Sequence, residues 1–577
     1  MGVSKTIFES AGQRSEHLVP GAYTRVNYEK QAGGGVAANN AVIIGPSAGG
    51  QPNTVLYFST PTEARATLRS GALLEAVLHA FDPGNGYTPQ RIGAMRANVG
   101  AQATASLLYS ATTQISLIAW DWGLHTNQLK RKFTAGTVSN THKVQLQLAS
   151  GDIQVYDNIT HPSFCLQYIG AGSAASMAID ATGITVTVVG ASDGLTVAFD
   201  SFTTIDDLVN YINDHATYQA VKLAGNGLEL TANLDHCTGI DVKSSVTTFK
   251  SDLKAIIDTF ASSGYIYSAT HPSNEATRKV PAYDSVWVYF TGGTLGTADS
   301  TAYTNSLTAL EQQSVHIIGT SSTDEAIHLL IKAHCALMSS VSGKKERMAW
   351  LGGAYGETVA ATVARATNLA SDLVNLAYPG FTAYDPITPS LGIKQCSAAM
   401  YACKLLGMET CLSINEPVTN KKVSVLSWAK ECTKTELETL ITAGVTAGGK
   451  SDSGNLITIR GVTTWQGDEV QRCERSMVRE ATYMARDFRA ALGGDIGRPA
   501  NLVGPSTINS VLGAKAIEWY NAGLILKAAD KPFVWGVTIR EDGDAIYVEY
   551  HVYLTAPRNF IFGTSNLHVL VQQVVAI

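Results

Sequence analysis

Apolar residues recur at helical spacing between Gly71 and Phe81, where Leu73, Leu74, Val77, Leu78 and Phe81 share one face. Upstream, Ala41 to Ile44 is a short continuous apolar run, the pattern of a buried strand. Thr62 stands where a helix over Glu63 to Ser70 would be capped, and Arg91 to Arg96 returns as a strand. Residues 31–100 therefore read as a small α/β unit. From 101 to 285 the pattern changes to alternating strands punctuated by turn residues, as in Gly183 to Gly190 and Gly194 to Phe199. One amphipathic helix interrupts them, Ile205 to His215, with Ile205, Leu208, Val209 and Ile212 at helical spacing. This stretch predicts a β-rich inserted domain.

Strands and helices then alternate through residues 286–430. Strand Val286 to Phe290 leads to a helix near Tyr303 to Gln313 and strand Val315 to Ile318. Helix Thr323 to Ser340 is followed by strand Arg347 to Leu351, and helix Thr358 to Ser371 by strand Leu373 to Ala377. Repeated βα units predict a mainly parallel sheet covered by helices. In residues 431–560 a helix starts at Thr433, followed by strand Leu456 to Val462, a long helix Asp468 to Ala491 and a helical candidate at Ala514 to Gly523. Strands Val534 to Arg540 and Ile546 to Leu554 flank the acidic Asp-Gly turn Glu541 to Asp544, a hairpin signal.

Both ends read as arms. Residues 1–30 are polar and irregular, with Pro20 and Gly21 before the strand-like Ala22 to Val26, and Gly33, Gly34 and Gly35 form a flexible hinge. Residues 561–577 end in Asn566 to Ile577, a β-prone apolar stretch with no charge, proline or glycine. Such a strand needs a partner sheet.

Composition sharpens this. Charged residues make up 16% of the 577-residue chain, against about 25% in typical soluble proteins, so its surface is easily buried against copies of itself. A net charge of -6 predicts no general attraction to nucleic acid or anionic membrane. No apolar run approaches the roughly 20 residues of a membrane span. Met1 to Ser10 lacks a signal-peptide core, so folding in a cytoplasm is expected. The eight cysteines form no C-x-x-C pair. Cys396, Cys403 and Cys411 cluster, but with spacings that match no zinc pattern, so no metal or other cofactor is expected.

Candidate chemistry is sparse. Gly45 to Gly49 matches G-x-S-x-G around Ser47, yet Gly50 to Asn53 continues as loop where a nucleophile elbow must enter a helix. Gly292, Gly293 and Gly296 form a structural turn that matches neither phosphate-binding pattern. His328 and His334 are six apart, off the shared face that paired metal ligands need, and His161 and His271, each before a proline, mark turns. Lys344 to Arg347 reads as a solvated charge run. Arg472, Arg475, Arg479, Arg486 and Arg489 place cations along the long helix, either as an exposed face with internal ion pairs or as an interface with a tube or a neighbouring subunit. No enzymatic constellation emerges.

Several segments resemble the contractile tail sheath proteins of bacteriophages and related injection machines. The run from Val286 to Thr297 (VWVYFTGGTLGT), followed by Ala309-Leu310-Glu311 and Val315 to Ile318, is similar to the family's strand, Gly-Gly-x-x-Gly, helix and strand signature, with Leu295 where an acid is often found. Pro20 to Tyr23 with Val42 to Gly45 resembles the family's opening. The helix after Arg472, Trp519 to Gly523 and the closing strands resemble its C-terminal core. The resemblance covers about two thirds of the chain. It implies a non-enzymatic subunit of hexameric rings stacked helically around a tail tube, contracting to drive the tube through the host envelope. The implied partners are copies of itself, the tail tube protein, and baseplate and tail terminator proteins. The implied place is the virion tail, assembled in the host cytoplasm.

The resemblance further implies a subtilisin-like, non-catalytic α/β domain over 286–430, an outer position for the insertion, and an α+β domain over 431–560 facing the tube. It also implies arm strands that join neighbouring subunits: here Tyr23, Arg25 and Val26 in one arm, and Val569, Val571, Val574 and Val575 in the other. The alternatives are another virion structural protein, a capsid or adhesin, and a serine hydrolase built on Ser47.

Overall fold

The structure is a computed structural model that describes residues 6–10, 13–17, 39–223, 225 and 227–560. Tyr23, Arg25, Val26, the Gly33 to Gly35 hinge and Val569, Val571, Val574 and Val575 lie outside the described residues. Within the N-terminal arm the backbone forms an antiparallel hairpin, Thr6–Ser10 with Gln13–His17.

The body is built on one eight-stranded sheet. Its strands are β1 (Ala41–Gly45), β2 (Val55–Phe58), β3 (Ile92–Arg96), β4 (Ile317–Thr320), β5 (Met348–Gly352), β6 (Val374–Tyr378), β7 (Val445–Lys450) and β8 (Leu456–Thr458), in the spatial order β8-β7-β6-β5-β4-β1-β3-β2. All neighbours from β7 to β3 run parallel, and the edge strands β8 and β2 are antiparallel. The segments read from sequence as two units, 31–100 and 286–430, thus share one sheet, which extends to Thr458. Strand Val286 to Phe290 differs more. Only Val288–Tyr289 is extended, and it pairs with Leu129–Ala135 in the insertion, not with this sheet.

The central strands β1, β4, β5 and β6 are buried throughout and mostly apolar because both faces are covered. On β1, Ala41 and Ile43 enter one core with helices α1 (Pro61–Leu68) and α2 (Ala72–Phe81), and Val42 and Ile44 enter the opposite core. The opposite layer holds α3 (Ser300–Leu310), α4 (Glu325–Met338) and α5 (Val359–Leu369), capped by Asp299, Asp324 and Thr358, whose side chains each accept a backbone N–H of the first turn. The cap of α1 is Thr60 rather than Thr62, because Pro61 occupies the first helical position, where its missing N–H is harmless.

Helix α6 (Ala398–Cys411) has no counterpart in the sequence reading. Every residue from Ala398 to Glu409 is buried, so the helix has no polar face and no 3.6-residue hydrophobic period to detect. It packs against α2 and the sheet. Helix α7 (Lys434–Thr442) begins with a complete Thr433/Glu436 capping box.

The insertion contains two cores. Near the body, strands between Thr104 and Ile159, strand Ile266–Thr270 and helix Asp252–Ala261 bury Leu117, Phe133, Leu146, Ile256, Phe260 and Phe290. Farther along the chain, residues 162–250 form two sheets with helix Ile205–Asn213 around Phe164, Met177, Ile184 and Leu208. The expected long helix from Asp468 is broken at extended Glu474, leaving a short turn and α8 (Arg475–Leu492). Helix α9 (Pro505–Asn521) is longer than the Ala514 to Gly523 pattern because Pro505 sets its first turn. The hairpin Trp535–Asp542 with Ala545–His551 follows, as the Asp-Gly signal requires.

Candidate assembly elements and the buried charge that places them

The C-terminal part is fastened to the sheet by a buried charge cluster. Glu409 lies in the last turn of α6 and Arg475 opens α8. Arg475 Nε donates to Glu409 Oε1 at 2.9 Å, Nη2 to Oε2 at 2.7 Å, and Nη1 to the Ala349 carbonyl and to Asn375 Oδ1. The Trp350 indole lies 4.4 Å below the guanidinium and donates to Glu409 Oε2 at 2.6 Å. One turn on, Arg479 Nη2 donates to the carbonyls of Glu409 and Leu412 and to Asn39 Oδ1, and Nη1 donates to Ser413 O. Burial pushes the Glu409 carboxyl up, but Arg475 and Arg479 together hold it below the usual glutamate range. The break at Glu474 lets α8 start inside the core, and the Glu474 carboxylate meets Arg460 and Asn559.

This geometry corrects the reading of the arginine-rich helix. Arg475 and Arg479 are 3% and 4% exposed and point inward. Arg472 bonds Asp372 at 2.8 Å and stacks 3.4 Å over Trp465. Arg486 donates to the Glu346 carbonyl at 3.3 Å, and burial lowers it to about 10. Arg489 pairs with the Glu346 carboxylate. The partner of Arg475 sits 66 residues upstream on a helix without periodic signal, so spacing along α8 alone could not find it.

The run Lys344 to Arg347 is solvated only in its first half: Lys344 is exposed and Lys345 half-buried, whereas Glu346 and Arg347 are buried. Arg347 is fully buried, donating to the carbonyl of Leu310 at the end of α3, to that of Gln313 just beyond it, and to His334 Nε2. Burial and Arg347 lower His334 to about 4, which keeps the ring neutral as the acceptor. His328 is held by the Ser322 carbonyl and lowered to about 4, chiefly by burial. His161 pairs with Glu229, and both ring nitrogens of His271 meet backbone carbonyls. Between α8 and the end of α3 lies a cleft of about 500 Å³ bordered by His316, Lys344, Lys345, Arg486 and Arg489.

The glycine turns are structural. Gly296 has φ +74° and a Cβ there would lie 2.2 Å from the Val99 carbonyl. Nearby, the Leu295 carbonyl accepts from Arg96 Nη2 and Asn98 Nδ2, and the Gly293 N–H is taken by Asn127 Oδ1. Gly292, at φ +85°, completes the turn. The N–H groups of Gly293 and Thr294 that a phosphate would use are therefore satisfied within the chain. Ser47 is 2% exposed, and its Oγ donates to the Gly49 carbonyl at 2.8 Å in a loop that enters no helix.

The C-terminal hairpin presents a different geometry. Val537, Val548 and Tyr550 turn toward Trp519 and Phe488, whereas Thr538, Arg540, Tyr547 and Glu549 are exposed. Among the described residues both of its outer edges lack a paired strand, leaving backbone donors and acceptors open.

No family model matches the sequence. The chain is similar to a tail sheath protein of Bacillus phage SP01, 26% identical over 577 residues that cover 96% of each chain. It is also similar to a putative tail sheath protein of Enterococcus phage phiEF24C, 23% identical over 73% of this chain and 75% of the relative. Among solved structures, the fold matches the sheath tail protein from Desulfitobacterium hafniense with a TM-score of 0.53 and 13% identity, covering 92% of this chain and 96% of the other. The corresponding Listeria innocua protein gives a TM-score of 0.53 at 12% identity over 90% and 96%.

Proposed function

For a chain similar over almost its whole length to a bacteriophage tail sheath protein, we propose the role of a structural subunit of a contractile tail sheath. The near full-length similarity carries this reading. In the working form, subunits assemble as hexameric rings stacked helically around a tail tube and contract to drive that tube through the host envelope. The partners are copies of the chain, the tube protein, and baseplate and terminator proteins, within a virion tail assembled in the host cytoplasm. The central α/β body corresponds to the subtilisin-like, non-catalytic core that the resemblance implies.

The architecture supports the reading physically. A two-sided, tightly capped α/β sheet makes a stiff body. The exposed edges of the C-terminal hairpin suit strand addition, which supplies directional backbone hydrogen bonds. The segments with strand character at Tyr23 to Val26 and Val569 to Val575 fit such edges on neighbouring subunits, and Gly33 to Gly35 accommodates a change of subunit orientation. The cationic cleft beside α8 takes over from the buried arginines as the candidate contact with the tube or a neighbour. Contraction then needs no nucleotide: an extended lattice trapped during assembly relaxes to one with larger contacts, and even a few kcal/mol per subunit adds up over many copies.

Negative-stain microscopy of the purified full chain tests this. Hollow tubes or stacked rings are expected; closed shells, or monomers at all concentrations, would overturn the assignment.

A further inference from the structure

The side chains of Glu75 and His79, one turn apart on α2, converge with that of Cys396, which ends strand Ile393–Cys396 just before α6. All three are buried, at 8%, 3% and 1% exposure. His79 Nε2 lies 3.5 Å from Cys396 Sγ and 3.9 Å from Glu75 Oε1, and the sulfur lies 3.9 Å from the same carboxylate oxygen. A triangle with these sides has its centre about 2.2 Å from every corner, close to the bond lengths of zinc to sulfur, imidazole nitrogen and carboxylate oxygen. No other group of three His, Cys, Asp or Glu side chains converges in this way among the described residues.

We propose that Glu75, His79 and Cys396 bind one zinc ion. Thiolate, imidazole and carboxylate together form a donor set suited to zinc. Glu75 is aimed by Lys394, whose Nζ holds the other carboxylate oxygen, Oε2, at 2.7 Å and leaves Oε1 for the ion. His79 turns Nε2 toward the Cys396 sulfur and the Glu75 carboxylate, and the Phe381 ring packs edge-on at 5.3 Å to fix the imidazole. Zinc takes the cysteine as thiolate, so binding releases the thiol proton to solvent, and the thiolate and carboxylate balance the charge of the dication. His79, alone of the three, borders a cavity of about 460 Å³ together with Asp82, Tyr384 and Asp385, from which water would fill the fourth position. The ion would link α2 to the strand that feeds α6, across 317 residues of chain.

Metal analysis of the full chain, purified without chelator or affinity-tag histidines, is the first test, with one zinc per chain expected. X-ray absorption of the wild-type protein should show one sulfur together with nitrogen or oxygen neighbours, a readout independent of any variant. Cys396→Ser and His79→Ala should each retain under a tenth of the metal, and chelator should lower the melting temperature of the wild type but not of either variant. A metal-free wild type that takes up no zinc on refolding with a tenfold excess would overturn the proposal. So would a shell with no sulfur or several sulfurs, or folded variants that keep full zinc.

Discussion

Arg475 and Glu409 form a two-pronged ion pair, Nε to Oε1 and Nη2 to Oε2, with both side chains almost wholly excluded from solvent. Because α8 reaches the sheet through this pair, loss of Arg475 leaves the buried Glu409 carboxylate with Arg479, 3.7 Å away, as its one cationic partner among the described residues. Arg475→Ala should destabilise the fold by about 3–5 kcal/mol, measured as the denaturant midpoint at constant slope. Replacing both residues with apolar ones of similar volume should recover much of that loss, since burying two charges is itself costly. Equal destabilisation by the single and double replacements would refute this account. The pair also sets an acid limit. Glu409 titrates below its ordinary 4.5 when folded, so its stabilisation is complete above that value and disappears as pH falls through the lower folded value.

Glu480 shows the opposite linkage. It is fully buried on α8, and desolvation raises it from 4.5 to about 8, against the opposing pull of the Thr555 backbone and Arg479. The folded state thus prefers the protonated acid. The stability this contributes is present below about pH 4.5 and declines as pH rises through about 8, by on the order of a few kcal/mol in all. Glu480→Gln should remove that dependence, leaving stability similar at pH 5 and higher than wild type at pH 9. Parallel stability-against-pH curves for the two proteins would count against a buried neutral acid.

Gly407 in α6 tests how closely the two covering helices approach. A Cβ there would lie 1.9 Å from the Ala80 carbonyl oxygen of α2. In an isolated helix Gly→Ala gains about 1 kcal/mol, but here the methyl must push two packed helices apart, an overpacking cost of about 1–3 kcal/mol or more. Gly407→Ala is therefore expected to lower the thermal midpoint. Gly494→Ala, where a Cβ meets nothing within 4 Å, is the control and should not.

The difference between legible and hidden features follows the range of the interactions. Helix α2 and β1 could be read locally because one-sided and two-sided burial leave distinct periods in the sequence. The hairpin after Trp535 was legible because Asp542-Gly543 specifies its turn chemistry. Helix α6 was not, since a helix buried all round loses its period. The arginines of α8 were visible as a stripe, yet their direction depends on Glu409 and Glu346, which lie far upstream. In the sequence Cys396 stands close to Cys403 and Cys411. In the fold Cys403 faces the Thr320 carbonyl and Cys411 the Gly407 carbonyl, while Cys396 meets Glu75 and His79 more than 300 residues away.

The chain leaves the first part of the insertion at His161 and returns at Ser251, and there the Ser251 N–H donates to the His161 carbonyl at 2.9 Å. Residues joined this way across antiparallel backbone lie about 5 Å apart, so residues 162–250 can be replaced by a two-residue Gly-Ser link without moving either end. The segment removed has its own core. Its polar ties to the rest are the His236–Arg278 backbone contact, Lys250 on the Asn140 carbonyl, Glu229 on His161, and Asp235, whose carboxylate accepts the N–H groups of Asp252 and Leu253 at the start of helix Asp252–Ala261. Losing that cap should cost about 1–2 kcal/mol, which Thr160 and the His161 backbone partly offset by still holding Asp252. The shortened protein is expected to fold, with a slightly lower melting temperature, and to form the same tubes as the full chain in negative stain. Failure to fold would mean that the two cores are one cooperative unit; a folded protein without tubes would place residues 162–250 in the assembly contacts.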